Sequence, residues 1–222
     1  MKNPVEILEK YSSAFRDLIN DRVWAGDESP SKLLRLNDEN DWSFICVAMD
    51  VVGDASSAIE NFLHFSLDGP TKYNDIGEKY LRLYGVLSAA YIQQEAVRKL
   101  YSLMNCPDPK NIKVEFNRLE IRTLRHQLAS HSLDYVETRD DKPQAFVPIR
   151  MDLEGFNCTV TENRGDKSST TKLDEAINEH CKAVISVLDR IFEKSINTLY
   201  RGQEKKIKEN MNKLNDLRFE RD

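Results

Sequence analysis

The chain has 222 residues, about two fifths of them hydrophobic and nearly a third charged, with a formal net charge of −5. That length suits one domain with a sizeable core, and the composition is too apolar for a disordered chain. The acidity excludes a protein that coats nucleic acid non-specifically, because such binding needs many Lys and Arg side chains to neutralise phosphates.

Helical signals open the chain. In "NPVEILEKYSSAFRDLINDRVW", Asn3 is placed to cap and Pro4 to occupy the first helical position, while Ile7, Leu8, Tyr11, Phe15, Leu18 and Ile19 recur at helical spacing. The following "AGDESPSKLLRLNDEN" reads as a loop. A second helix is expected over Asp41 to Phe65, with Phe44, Val47, Val51, Asp54, Ala58, Phe62 and Phe65 stepping by three or four along one face. Its densest apolar run, "FICVAMDVVG", is interrupted by Asp50 and short of a bilayer span, so neither membrane insertion nor secretion is expected. Asp50 and Asp54 fit a polar patch paired to arginines of another helix better than a cation site.

A third helix is predicted from about Asp75 to Asn105, carrying Tyr80, Leu83, Tyr84, Leu87, Tyr91, Ala96 and Leu100 on a wide apolar face before "CPDP" ends it. The tyrosines at 73, 80, 84, 91 and 101 read mostly as core or interface. A fourth helix is expected over Asn111 to Ser132. Beyond it the period changes to two: Val147, Ile149, Met151 and Leu153, then Phe156, Cys158 and Val160, predict a β-hairpin turned at "EG". Pro148 puts the first of these strands at an edge, since it has no N–H for a central ladder.

"ENRGDKSSTTK" reads as a polar loop. A long last helix then starts near Asp174, with Ile177, Cys181, Val184, Leu188, Ile191 and Leu199 at near-heptad spacing. Its tail over 201–222 is so charged that a solvated, fraying helix is the expectation. The fold class is therefore all-α: an up-and-down helical bundle in one domain, with a small β-hairpin inserted at about 140–172 before the long C-terminal helix.

Cys46, Cys106, Cys158 and Cys181 lie far apart without CxxC spacing, which points to reduced thiols and a cytoplasmic protein. No phosphate-binding glycine loop, GxSxG or HExxH occurs, so neither a cofactor nor a metal is expected. His180 beside Cys181 reads as a surface histidine next to a core thiol.

The chemistry concentrates on the fourth helix, in "EIRTLRHQLASHSLDY". Arg118, Arg122 and Arg125 stand at i, i+4 and i+7 on one face, with His126 beside them, and such like charges repel. Either carboxylates, Glu115 among them, neutralise this stripe, or a bound anion such as phosphate does. His131 continues the apolar row of Ile121, Leu124 and Leu128, which favours a core or helix-terminal histidine over a catalytic one. In an unbroken helix Arg125 and His131 are separated by ~9 Å of rise and roughly 120° of rotation. Bringing them to one target requires a bend at "ASHS", the reach of the arginine, or a second subunit.

"RHQLASH" resembles the Arg-x4–6-His signature of the HEPN superfamily, whose motif also lies late in one helix of an all-helical bundle. The resemblance covers seven residues, Arg125, His126 and His131 being its polar positions. It implies a metal-independent endoribonuclease, of a kind frequent in prokaryotic defence and toxin–antitoxin systems, whose composite site forms across a homodimer. Under it, His131 acts as general acid or base, Arg125 stabilises charge on the phosphate, His126 orients the substrate, and Arg118 and Arg122 bind RNA. The products implied are a 2′,3′-cyclic phosphate and a 5′-hydroxyl. The other reading is a non-catalytic helical dimerisation module, the partner of a toxin or nucleotidyltransferase, in which the arginines and histidines tie helices together.

Overall fold

Asn3 and Pro4 start the first helix as their chemistry dictates. The Asn3 carboxamide accepts from the Val5 N–H, and Pro4 occupies a position where no N–H is needed. In the computed structural model, which describes residues 3–71, 74–136, 142–163, 165 and 167–221, this is helix α1, Pro4–Trp24. Tyr73 and the first residues of the expected insertion lie outside the described residues.

The chain is mostly helical, with a small antiparallel sheet ahead of a long C-terminal helix. A short helix α2, Pro30–Leu33, interrupts the stretch expected to be loop; α3 spans Asp41–Phe65 and α4 Ile76–Leu103. The single helix expected over 111–132 is two: α5, Pro109–Asn117, and α6, Glu120–Ala129. Phe116 and Ile121 are both fully buried, yet in one continuous helix they would point roughly 140° apart. Breaking the helix at Arg118 and Leu119 lets both face the core, with tight i to i+3 bonds from Arg118 and Leu119 closing α5.

Strands β1 (Phe146–Pro148), β2 (Asn157–Glu162) and β3 (Lys167–Lys172) form a sheet of order β1-β2-β3. Pro148 is on an edge strand, as expected, opposite Val160. The hairpin differs from expectation in two respects. A 3₁₀ turn at Arg150–Asp152 ends β1 early, and the polar "KSSTTK" is a strand rather than loop. β3 is the other edge, with little apolar surface to bury, so it carries no alternation to read.

By its internal contacts the chain divides into two compact units, one of Met1–Ser56, Ile92–Val114 and Cys181–Asp222, the other of Ser57–Tyr91 and Glu115–His180. The division falls within α3, α4, α5 and α7 (Leu173–Leu199).

The first unit is centred on Tyr11, Phe15 and Phe192, with the two phenylalanine rings edge to face at 6.3 Å. Over its first half the buried row of α3 is Ile45, Ala48, Met49, Val52 and Ala55, one position out of phase with the row expected, whereas Phe62, farther along, is buried as expected. Phe44 is 50% exposed as a consequence. The helix is apolar nearly all round, so spacing alone does not select its inward face. Among the described residues α3 is the one helix long and apolar enough to cross a membrane. Asp50, midway along it, pairs with Arg16 at 2.9 Å, which meets the expectation of an aspartate matched by another helix and gives this face the character of a solvated surface.

α7 does not continue into the charged tail. Gly202, at φ 85°, supplies a turn that L-residues rarely adopt, and α8, Glu204–Arg221, runs back along α1. Lys206 binds Asp21 at 3.0 Å and Lys10 binds Glu220 at 2.7 Å, which fixes the antiparallel pairing, and Leu214 is fully buried. Arg218 donates to both Asp189 oxygens at 2.8 and 2.7 Å and to Glu193 at 2.6 Å. The tail is therefore docked, not fraying. Asp189 also accepts from the Tyr11 hydroxyl at 3.1 Å; burial opposes its charge, and the Arg218 bonds outweigh that and hold its carboxyl below the usual range.

In the second unit Phe62 meets Phe156 edge to face at 6.0 Å, and the Lys79 ammonium donates to the Leu153 carbonyl at 2.7 Å. His180 is buried here, not at the surface as expected, and burial holds its pKa down to about 3. All four cysteines are free; burial pushes Cys158 and Cys181 up to about 12 and Cys106 up to about 11.

Two stability predictions follow from these buried charges and rings. Arg218→Ala leaves the Asp189 charge to the Tyr11 hydroxyl and the more distant Arg221 guanidinium, 3.6 Å away, and should cost about 1–3 kcal/mol, read as a lower urea midpoint at unchanged slope; a loss under ~0.5 kcal/mol would mean that α8 is not held by this pair. His180 binds no proton in the folded chain until about pH 3, whereas the unfolded imidazole protonates below ~6.5. Its contribution to stability is thus complete above ~6.5 and is lost as pH falls from there toward 3, at roughly 1 kcal/mol between pH 6 and 5. Urea titrations at those two pH values should show the loss in the wild type and a much smaller one in His180→Leu.

Candidate active site at the end of helix α6

Leu119 enters α6 in extended conformation, and its carbonyl accepts from the N–H groups of Arg122 and Thr123. Ile121, Leu124 and Leu128 are buried, which fixes the helix phase. The helix ends where "ASHS" begins. Ser130 leaves the helical region at φ −132°, and the His126 carbonyl accepts from both the Ser130 and the His131 N–H, the latter at 2.7 Å. His131 is accordingly not in the apolar row. Its side chain is 55% exposed, in a turn whose Asp134 N–H reaches the His131 carbonyl at 3.3 Å.

The inserted sheet holds this turn. The Phe146 N–H donates to the Ser132 carbonyl at 2.8 Å, Tyr135 and Gln144 exchange backbone bonds at 3.1 and 2.8 Å, and the Tyr135 and Phe146 rings meet edge to face at 5.3 Å. From β3, the Thr171 hydroxyl donates to Glu120 at 2.6 Å, tying the sheet to the first turn of α6. Both ends of the helix are thus fixed by the insertion.

The arginines expected on one stripe separate. Arg118 is exposed in the break between α5 and α6 and is not brought to the cluster. Arg122 is 5% exposed, its guanidinium 4.8 Å from the centre of the Tyr91 ring; Arg125 is half-buried and lies 3.9 Å from the same ring. Two guanidiniums one turn apart repel, and the electron-rich ring face of Tyr91 on α4 offsets that repulsion for both. Arg125 also donates from Nη1 to the Ser130 hydroxyl at 3.1 Å, so its guanidinium reaches the residue next to His131.

The histidines come together at the bend. The His126 ring lies 6.2 Å from Tyr91 and 6.4 Å, edge on, from His131. His131 Nδ1 lies 3.3 Å from Asp134 Oδ1. A proton on Nδ1, donated to the carboxylate, leaves Nε2 as the acceptor.

Arg125, His126 and His131 therefore converge, while Arg122 packs behind them and Arg118 stands apart. Tyr91, Ser130 and Asp134 complete the cluster and were not singled out from sequence as site residues. Asp134 had a readable signal, an acid three residues past the histidine in a turn-forming stretch; Tyr91 was indistinguishable from its apolar row. Among the described residues no group of three or more His, Cys, Asp or Glu side chains is arranged to hold a metal ion. Comparison with protein-family models, curated proteins and solved structures returned no match.

The stacking account is testable through the ring itself. Tyr91→Phe keeps the π face and should leave stability unchanged, whereas Tyr91→Leu should lower it by about 1–2 kcal/mol. Thermal or urea unfolding distinguishes them, and equal behaviour of the two variants would remove the cation–π contribution.

Proposed function

We propose that this chain is a HEPN-like endoribonuclease that cleaves RNA without a metal ion, working as a homodimer in the cytoplasm. The observation that carries the reading is the bend at Ser130, which sets an exposed histidine beside the reach of Arg125. That is the arrangement the chemistry of ribose-directed cleavage asks for.

In the proposed reaction a histidine Nε2 takes the proton of the ribose 2′-hydroxyl as that oxygen attacks the adjacent phosphorus. The P–O5′ bond breaks, and the 5′-oxygen leaves with a proton from a second imidazole. The products are a 2′,3′-cyclic phosphate and a 5′-hydroxyl. Asp134 holds His131 in the tautomer that presents Nε2, and the Arg125 guanidinium binds the phosphorane more strongly than the starting diester, since charge accumulates on its oxygens. His126, or the His131 of a second copy, supplies the other imidazole. Leu81, 74% exposed, and Tyr84 stand on the face of α4 that also carries Tyr91 and offer apolar surface for that second copy.

The alternative, a non-catalytic interaction module, draws less support. It makes His131 a buried tie between helices, but the side chain is largely exposed. It also uses the heptad-like row of α7 as a dimer seam, whereas Cys181, Val184, Leu188 and Ile191 are buried within the chain itself.

The test is incubation of wild type, His131→Ala and Arg125→Lys with mixed RNA in excess EDTA, followed by analysis of the fragment ends. Wild type should cleave and leave cyclic phosphates. His131→Ala should slow cleavage by about 100-fold or more at an unchanged melting temperature, and Arg125→Lys should restore little, because an ammonium does not reproduce the planar fork. Abolition by EDTA, or full activity of His131→Ala, would overturn the mechanism.

A further inference from the structure

A second cationic feature lies in the first unit. Residues of α4 and the start of α5 enclose an open cleft of about 470 Å³. Its described lining carries Arg98, Lys99, Lys110 and Lys113 against the carboxylate of Glu95, with Ser102 and Pro109 completing it. Glu95 is already engaged by Arg98 at 3.1 Å. The lysines are exposed, and among the described residues that line the cleft Glu95 is the one carboxylate facing them. In a chain of net charge −5 this local excess of positive charge is out of keeping with the rest of the surface.

Beside the cations stands an aromatic ring. The Lys99 ammonium lies 4.5 Å from the centre of the Phe44 ring, and Phe44 is the residue of α3 that the observed helix phase leaves half exposed. Cations that track a phosphate backbone, with an adjacent ring on which a base can stack, are the two elements of a single-strand nucleic-acid groove. An acidic peptide would use the cations and leave the ring without a role.

We propose that this cleft binds single-stranded RNA, with Lys99, Lys110, Lys113 and Arg98 on the phosphates and Phe44 against a base. The choice of RNA over DNA rests on the ribonuclease reading above; the cleft's binding of a nucleic-acid strand does not. The cleft would hold substrate through contacts that are sequence-tolerant and sensitive to salt.

The experiment measures binding without turnover. Full-length His131→Ala is titrated into a fluorescein-labelled, uridine-rich oligoribonucleotide, and anisotropy is followed at several salt concentrations. Adding Lys110→Ala and Lys113→Ala should weaken binding about 10-fold or more at low salt and reduce the log–log salt slope by about 1.4, two single-strand phosphate contacts. Adding Phe44→Ala instead should weaken binding at least about fivefold with the slope unchanged. Lys205→Ala with Lys208→Ala, on α8, should leave affinity as it was. The proposal is overturned if the Lys110 and Lys113 pair has no effect, if both lysine pairs weaken binding equally, or if polyglutamate displaces the RNA at equal charge concentration. Wild type that fails to cleave, with the cleft variants still losing affinity, would reject the ribonuclease reading and leave the cleft; cleavage with unaltered binding by those variants would do the reverse.

Discussion

The carbonyl of His126 accepts two backbone N–H groups, those of Ser130 and His131, and in doing so it stops α6 one turn earlier than the apolar spacing suggests. Had the helix run on, Arg125 and His131 would point roughly 120° apart, and His131 would follow Leu128 toward the core. With the helix stopped, the histidine turns outward, Asp134 comes within reach of its Nδ1, and the Arg125 guanidinium reaches Ser130. A helix end of this kind is a weak structure by itself. It persists because β1 bonds to Ser132 and the Tyr135–Gln144 bridge closes the segment from the other side. The insertion therefore has a mechanical purpose: it converts a fraying terminus into a fixed turn.

Each unit handles concentrated charge in its own way. In the first, Asp189 is stabilised by geometry, with Arg218 engaging both carboxylate oxygens and Tyr11 adding a third bond. Removal of any one partner leaves the others desolvated, so these groups act together. In the second, Arg122 and Arg125 share a neutral partner, the Tyr91 ring. A π face offsets repulsion between cations without neutralising them, so the charge of Arg125, the half-buried member of the pair, stays available to an anion. A carboxylate in the same place would have consumed it.

Much of the helical framework was legible. Asn3 and Pro4 set the start of α1, its six apolar positions are all buried, and the limits of α3 match the residues read from spacing. What escaped the sequence has identifiable causes. The phase of α3 was off by one because both Phe44 and Ile45 belong to acceptable apolar rows, and only the tertiary partners choose between them. The break at Arg118 contains no Gly or Pro, since packing of Phe116 and Ile121 drives it. β3 is polar, and strands are stabilised by pairing that a one-strand pattern does not contain. The docking of α8 was hidden by its composition, because its anchors are charged residues that find partners 25 and more positions away. At the candidate site, a bend at "ASHS" was one of three ways to bring Arg125 and His131 to one target, beside the reach of the arginine and a second subunit, and no residue of the stretch selects among them.

An acidic protein with cationic sites for a polyanion is not a contradiction. At physiological ionic strength interactions between exposed charges fade beyond ~8 Å, so a phosphate seated near Lys110 and Lys113 experiences mainly the cleft that holds it. The remaining negative charge acts at longer range, where it is screened, and chiefly discourages adventitious contact with nucleic acid elsewhere on the surface. Confining the cations in this way trades on-rate for selectivity of place. Under the proposed binding, a strand that meets the surface at random is repelled, and one that reaches the cationic cleft with a ring beside it is held. Net charge therefore constrains how much of the surface a polyanion can use, and the positions of individual lysines and arginines determine which part it uses.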